Sequence, residues 1–130
     1  MLNDNLYWLC LLSCEVLYYD PTLAGLYPWQ RWGDGFNGLH ILTGFHSLAQ
    51  TATGFPNRFA NDMLVGSAHR PMTIVQAWRS AAKARGTGAP AALGPIERHG
   101  FSDFNDHYWG KGFVGPSIPR SLIRGWWYIN

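Results

Sequence analysis

The sequence has little charge of either sign and no segment where charge is concentrated. Asp, Glu, Lys and Arg make up 14% of the 130 residues, and the formal net charge is +2. The ten Lys and Arg residues are scattered from Arg31 to Arg124, so the chain lacks the basic cluster that binds a nucleic-acid backbone. With 47% hydrophobic residues it also differs from disordered proteins. We expect one folded domain, and no nucleic-acid partner.

Long apolar runs are also missing. The longest, Leu6–Leu12, has seven residues, whereas a membrane-spanning helix needs about 20. The preceding residues Met1–Asn5 include Asp4 and no basic residue, so the run lacks the positive flank of a signal peptide. Leu11–Cys14 loosely resembles a lipoprotein cleavage site, but it has the same unsuitable flank. We therefore expect no membrane span and no targeting signal, with the cytoplasm as the default compartment.

The chain has only two cysteines, and their spacing disfavours a disulfide. On a strand, Cys10 and Cys14 would lie about 13 Å apart at ~3.3 Å per residue, beyond the ~7 Å that a disulfide allows. We expect two free thiols. The unbroken apolar run Leu6–Leu12 predicts a strand that is covered on both faces. Cys10 then packs inside the strand, and Cys14 stands beyond its carboxyl end, where functional groups of open α/β sheets collect.

The remaining pattern predicts an α/β domain with a small, mainly parallel open sheet of about four strands and two main helices. The clearest helix starts at Thr73, whose side chain forms a capping box with Gln76, and ends before Gly86. We expect the opening strand and the second strand to be central, and the Pro-containing third strand to be an edge or irregular strand. Besides the opening strand and the Thr73 helix, the predicted elements are a strand over Gly38–Phe45, a helix over Arg58–Val65 capped by Asn57, and strands over Ala89–Glu97 and Arg124–Ile129, with an irregular excursion over residues 22–38.

The best candidate for a base beside Cys14 is His46. It follows the second predicted strand, so it would approach Cys14 if the two strands are parallel neighbours. The alternative is that His40 is a core histidine donating to a backbone carbonyl and that His46 is a surface residue. Both interpretations stay open at this point.

The segment from His99 to His107 offers imidazole and carboxylate groups of the kinds that bind Zn²⁺ or a harder cation. His99, Asp103, Asp106 and His107 do not follow a known metal-binding spacing, and a turn-rich loop explains them as well. We predict no metal and no other cofactor. The aromatic residues of the 22–38 excursion suit either stacking on a ligand or filling space above the sheet.

Four blocks of the sequence carry a resemblance when they are taken together: Leu12–Leu17, Trp32–His46, Met72–Trp78 and Asn105–Pro116. They resemble a mostly bacterial family that is known only as a domain of unknown function. In addition, the strand that ends on a cysteine is similar to the C-terminal half of caspase- and gingipain-like cysteine peptidase domains. The resemblance implies half of a caspase-like αβα sandwich, with residues 1–130 as one domain or as the C-terminal part of a larger one.

This resemblance implies a nucleophilic role for Cys14, which follows a small residue, Ser13, as in the family motif. In the caspase- and gingipain-like peptidases the catalytic histidine precedes the cysteine in the sequence, and the thirteen residues before Cys14 contain no histidine. The first hypothesis is therefore a cysteine peptidase-like hydrolase acting on a peptide or protein, inactive unless His46 or upstream sequence supplies the base. The alternative is a non-catalytic binding or scaffold domain that uses its aromatic-rich loops. An open sheet edge would also favour a homodimer.

Overall fold

In the part of the chain that the structure describes, a four-stranded sheet combines with three α-helices, which confirms the predicted α/β class. The computed structural model describes residues 6–21, 25–36, 38–50, 53–66, 70–96, 103–115 and 122–127. The strands are β1 (Trp8–Cys10), β2 (Ile41–Phe45), β3 (Pro90–Ile96) and β4 (Leu122–Trp127), the α-helices are α1 (Pro28–Trp32), α2 (Phe55–Leu64) and α3 (Ile74–Arg85), and short 3₁₀ helices cover Gly33–Phe36 and Asp103–Asn105.

The sheet has the order β1-β2-β3-β4 and is mixed, so the prediction of a mainly parallel sheet is wrong. β1 and β2 are parallel, whereas β2 pairs with β3, and β3 with β4, in the antiparallel sense. The cause lies in the connection between β2 and β3, which contains two helices in succession. One helix alone would return the chain to the end of the sheet where β2 starts. The second helix brings the chain back to the end where β2 finishes, so β3 starts there and runs antiparallel to β2.

β1 lies at the edge of this sheet rather than at its centre, which corrects a second expectation. Trp8, Leu9 and Cys10 are all half-buried, whereas every residue of β2 is buried. The apolar run around β1 is explained by loops that pack on it, since Leu6, Leu9 and Leu11 contact the core cluster that contains Leu17 and Phe36. A continuous apolar strand therefore indicates cover on both faces without indicating a neighbour on both edges.

β3 is an interior strand in spite of its prolines, contrary to the expectation of an edge strand. Pro90 is in register with Phe45 of β2 and lies outside the β4 ladder. Pro95 is in register with Ile123 of β4 and lies beyond the β2 ladder. Among the described residues, each proline thus has one strand partner, and a missing N–H group is tolerated at such a position.

The core has two clusters, one on each face of the sheet. Leu42 of β2 belongs to the cluster under the segment that follows β1, and Phe45 of the same strand belongs to the cluster under α2 and α3. Trp78 of α3 is nearly fully buried there, and its indole N–H donates to Gly44 O at 2.9 Å. β2 is therefore an interior strand that is covered on both faces, as predicted.

The two main helices differ in how well their start could be predicted. α3 begins as expected: Gln76 N donates to Thr73 Oγ1, and Thr73 N donates to Gln76 Oε1, both at 3.2 Å. α2 begins earlier than predicted, with Gly54 rather than Asn57 as its N-cap. Gly54 has φ 89°, a left-handed conformation that glycine adopts without a steric penalty. Pro56 then fits the first turn, where its missing N–H costs nothing.

The excursion over residues 22–38 is more regular than predicted, because α1 and the first 3₁₀ helix lie within it. β4 begins two residues before the predicted start, and the predicted end of that strand lies outside the described residues.

Candidate functional site

Cys14 lies on a tight turn at the carboxyl end of β1, as the sequence predicts. The turn is held against the end of β2, since Glu15 N donates to Ser47 O at 3.0 Å and Leu17 N donates to Phe45 O at 3.1 Å. Glu15 has φ 51°, which is uncommon for a residue other than glycine and reverses the chain sharply. Leu17 is fully buried and anchors the turn, so Cys14 is left on the exposed side.

The sulfur of Cys14 forms two hydrogen bonds with the backbone of Ala49, which lies on the segment that follows β2. Ala49 N–H donates to Cys14 Sγ at 3.2 Å, and the thiol donates to Ala49 O at 3.3 Å. The N–H contact would stabilise a thiolate, and the carbonyl contact stabilises the protonated thiol. Cys14 also borders an open cavity of about 230 Å³, which is lined by Leu12, Ser13, Cys14, Ala49 and Gln50. A small group can therefore reach the sulfur from solvent.

Cys10 has a different environment, although it lies only four residues earlier. Both thiols are free, as predicted, but Cys10 packs against the cluster of Phe45 and Trp78, whereas Cys14 is exposed. Burial raises the pKa of the Cys10 thiol above the ordinary value of 9.0. Cys10 is therefore a packing residue with low expected reactivity.

His46 lies at the same end of the sheet as Cys14, because β1 and β2 are parallel neighbours. Its Nδ1 accepts a hydrogen bond from Tyr19 N at 3.2 Å, and its ring stacks on Tyr18 with centroids 5.3 Å apart. No hydrogen bond among the described residues joins it to Cys14. With Nδ1 as acceptor, the neutral ring carries its proton on Nε2, so Nε2 donates rather than accepts. The role of His46 as base stays a prediction.

His40 and Asp106 form a buried pair at the opposite end of β2. Both side chains are fully buried, and His40 Nδ1 lies 2.7 Å from Asp106 Oδ2. Trp8 Nε1 donates to the same oxygen at 2.9 Å, and Gly115 N donates to Oδ1 at 2.8 Å. His40 is thus a core histidine, as the alternative interpretation expects, and this partner of its Nδ1 is a carboxylate. The carboxylate joins β1, β2 and the loop before β4, which indicates a structural role.

This pair was not predictable from the sequence, because 66 positions separate its members. From the sequence, Asp106 is interpreted as a turn residue or as a metal ligand, and neither interpretation predicts a contact with His40. His40 and His46 are six residue steps apart, so the pair lies roughly 20 Å along β2 from the end of the sheet that carries the thiol. The imidazole–carboxylate pair and Cys14 therefore belong to different sites.

The candidate metal ligands do not come together in the part of the chain that the structure describes. His99 lies outside the described residues, and the side chain of Asp103 is not described. Asp106 is occupied by the contacts above, and His107 Nδ1 donates to Phe113 O at 3.2 Å. The described residues hold no group of three or more His, Cys, Asp or Glu side chains suited to a metal ion, and no helix long and apolar enough to span a membrane.

Aromatic side chains cluster near each end of the β1–β2 pair. On the segment that follows Cys14, the rings of Tyr27 and Trp29 stack with centroids 4.5 Å apart, and Tyr19 packs on Trp29 at 5.8 Å. Near Asp106, the ring of Trp109 packs against the ring of Trp8 at 5.1 Å. Both clusters are partly exposed, so the aromatic loops fill space and also present surface.

Comparison with known proteins gives one match. Neither a curated protein nor a solved structure matches the chain. One family model, described as "Domain of unknown function (DUF6345)", matches residues 3–130, which is nearly the whole chain. The chain therefore belongs to the DUF6345 family.

Proposed function

We propose that this domain is a cysteine hydrolase of the peptidase type, related to the C-terminal half of caspase- and gingipain-like domains, with Cys14 as its nucleophile. The observation that carries the proposal is the environment of the sulfur. Cys14 Sγ is exposed beside a cavity and accepts a hydrogen bond from Ala49 N–H at 3.2 Å. Support also comes from the strained backbone at Glu15, because such conformations cluster at functional sites.

The reaction would follow the ordinary course of thiol acyl transfer. The Cys14 thiolate attacks the carbonyl carbon of the substrate, an S–C bond forms, and the C–N bond breaks as the amine leaves with a proton from the base. Water then cleaves the thioester, which releases the acid and restores the thiol. Ala49 N–H would stabilise the sulfur anion before attack.

The base is the open part of this proposal, and two sources are compatible with it. His46 would have to release Tyr19 N–H from its Nδ1, since that lone pair is already used as an acceptor. A base from sequence that precedes this chain would need no such change. In the absence of either base, the domain would retain an exposed thiol and lack turnover.

The proposal is tested by alkylating the folded protein with iodoacetamide at graded pH, with peptide mapping by mass spectrometry. At about pH 6.5 we expect Cys14 to react roughly tenfold faster than an unstructured cysteine peptide. Cys10 serves as the internal control and should react only after unfolding. Alkylation of Cys14 at the rate of the peptide, or slower, would contradict an activated nucleophile. His46→Gln then tests the base: an unchanged rate would exclude His46.

A second candidate function is a non-catalytic binding surface, which the stacked rings of Tyr27 and Trp29 favour. Tyr19 extends this cluster and is 46% exposed, so a peptide could pack on it. Peptides that the domain selects from a displayed random library would distinguish the two functions. A binding surface predicts that Tyr19→Ala loses the bound peptides and that Cys14→Ser keeps them.

A further inference from the structure

The turn over residues 108–113, here named the aromatic turn, exposes three large aromatic side chains. Tyr108 is 42% exposed, Trp109 is 50% exposed and Phe113 is 55% exposed. They are three of the nine large hydrophobic residues that the described part of the chain exposes, and the other six are distributed over residues 12–65. Such a concentration of exposed apolar surface indicates an interaction site.

The charge of the aromatic turn has one sign. Lys111 lies between the aromatic residues and is exposed, and residues 108–115 include no Asp or Glu. The carboxylate that precedes the turn, Asp106, is fully buried and accepts three hydrogen bonds. The surface of the turn therefore complements an anionic partner.

The aromatic turn is also held in one conformation. Lys111 N donates to Tyr108 O at 2.9 Å, and His107 N donates to Phe113 O at 2.8 Å, which closes the turn. The ring of Trp109 packs edge-on against Tyr7, with centroids 4.9 Å apart. Because the exposed rings are already ordered, docking them costs little conformational entropy.

We propose that the aromatic turn docks on the interface of an anionic lipid bilayer. Trp and Tyr rings favour the headgroup level, and a lysine beside them is attracted to anionic lipids. A protein partner is disfavoured by area, because three half-exposed rings offer roughly 300 Å², about half of the ~600 Å² that each partner buries in even a small stable protein interface. Binding to a bilayer does not require a contact area of that size, because an apolar turn can insert to a shallow depth among the lipid headgroups.

The test is flotation of the full chain with phosphatidylcholine vesicles, with and without about one-quarter phosphatidylserine. We expect binding to the anionic vesicles that weakens as salt is added. Phe113→Ala should lower the partition coefficient about tenfold, because it removes a buried aromatic ring from the bound state. Lys111→Ala should lower it about fivefold, and only on the anionic vesicles. The matched control is Leu48→Ala, which removes a 69% exposed apolar side chain elsewhere.

Phe113→Ala is the decisive variant, because more than half of this residue is already in water and its loss should leave the fold intact; urea unfolding checks this. Three results would overturn the proposal. The wild-type chain could fail to float with either vesicle. Leu48→Ala could lose as much binding as Phe113→Ala. Finally, gel filtration could show concentration-dependent self-association that Phe113→Ala abolishes, without vesicle binding, which would identify the turn as a protein contact.

Discussion

The two ends of the β1–β2 pair carry similar kinds of residue and use them differently. At the amino end, here named the network end, Trp8, His40 and Asp106 form a hydrogen-bonded group with both ionisable side chains fully buried. At the carboxyl end, here named the thiol end, Cys14 is exposed and His46 is half-buried, and their hydrogen bonds are with backbone groups of Ala49 and Tyr19. A histidine near a reactive residue type is therefore poor evidence for a site. What distinguishes the ends is access to solvent: the ionisable pair of the network end is fully buried, whereas the Cys14 thiol is exposed beside a cavity.

The largest expected effect comes from changing a carboxylate to an amide at the network end. In Asp106→Asn, the new NH₂ group must face at least one of the N–H donors of Trp8, His40 and Gly115. Two hydrogen-bond donors then point at each other in the buried interior, and neither has an acceptor. We expect a loss of about 3–5 kcal/mol in the free energy of unfolding, measured with urea. The control is Glu15→Gln, the same chemical change at an exposed position of the thiol end, which should leave the urea midpoint unchanged. Equal losses in both variants would remove the distinction between the two ends.

Much of what the sequence indicated correctly depends on neighbours along the chain. The capping box of Thr73 and Gln76 marks the start of α3 and Gly86 marks its end, so both ends of this helix were predictable from neighbouring residues. Cys14 follows an apolar run directly, so its place at a strand end was also predictable. Strand direction and the order of strands depend on where distant segments return, and the apolar run that identified β1 does not encode them. The pairing of His40 with Asp106 has the same origin, since only the folded chain brings residues 66 positions apart together.

A smaller effect is expected from adding a methyl group at a strand glycine near each end. A Cβ atom at Gly94 would lie 2.9 Å from His40 O and 2.7 Å from Phe104 Cε1. Because the first of these is backbone, we expect Gly94→Ala to lower the free energy of unfolding by about 1–3 kcal/mol. A Cβ atom at Gly44 would instead meet the side chain of Val16, on the turn that carries Cys14.

Gly44→Ala should therefore shift that turn, with a smaller loss of stability and a changed rate of Cys14 alkylation, whereas Gly94→Ala should leave this rate unchanged. Urea unfolding and iodoacetamide labelling of both variants measure the two effects. A changed labelling rate in Gly94→Ala would mean that the two ends are coupled through the sheet.

Between the two ends lies Cys10, whose contribution should appear only at alkaline pH. Burial raises the pKa of its thiol in the folded state above the ordinary value of 9.0. As pH rises past that value, the unfolded chain loses the proton first, so the stability that the protonated thiol contributes is present below pH 9.0 and is lost above it. The slope is at most about 1.4 kcal/mol per pH unit. Unfolding free energies of wild type and Cys10→Ala across this range should differ in slope, and parallel slopes would contradict a buried thiol.

The smallest expected effect on stability is that of Cys14→Ser, which tests whether the thiol end is free of a structural role. Serine can repeat both contacts, since its hydroxyl oxygen can accept from Ala49 N and its hydrogen can be donated to Ala49 O. The position is exposed, so little apolar burial is lost with the sulfur. We expect an unchanged urea midpoint together with complete loss of the fast alkylation, because Cys10 is protected until unfolding. A clear loss of stability would show that the sulfur supports the turn at Glu15, and an exposed thiol that holds its own turn together would have a structural reason to be there without any chemistry.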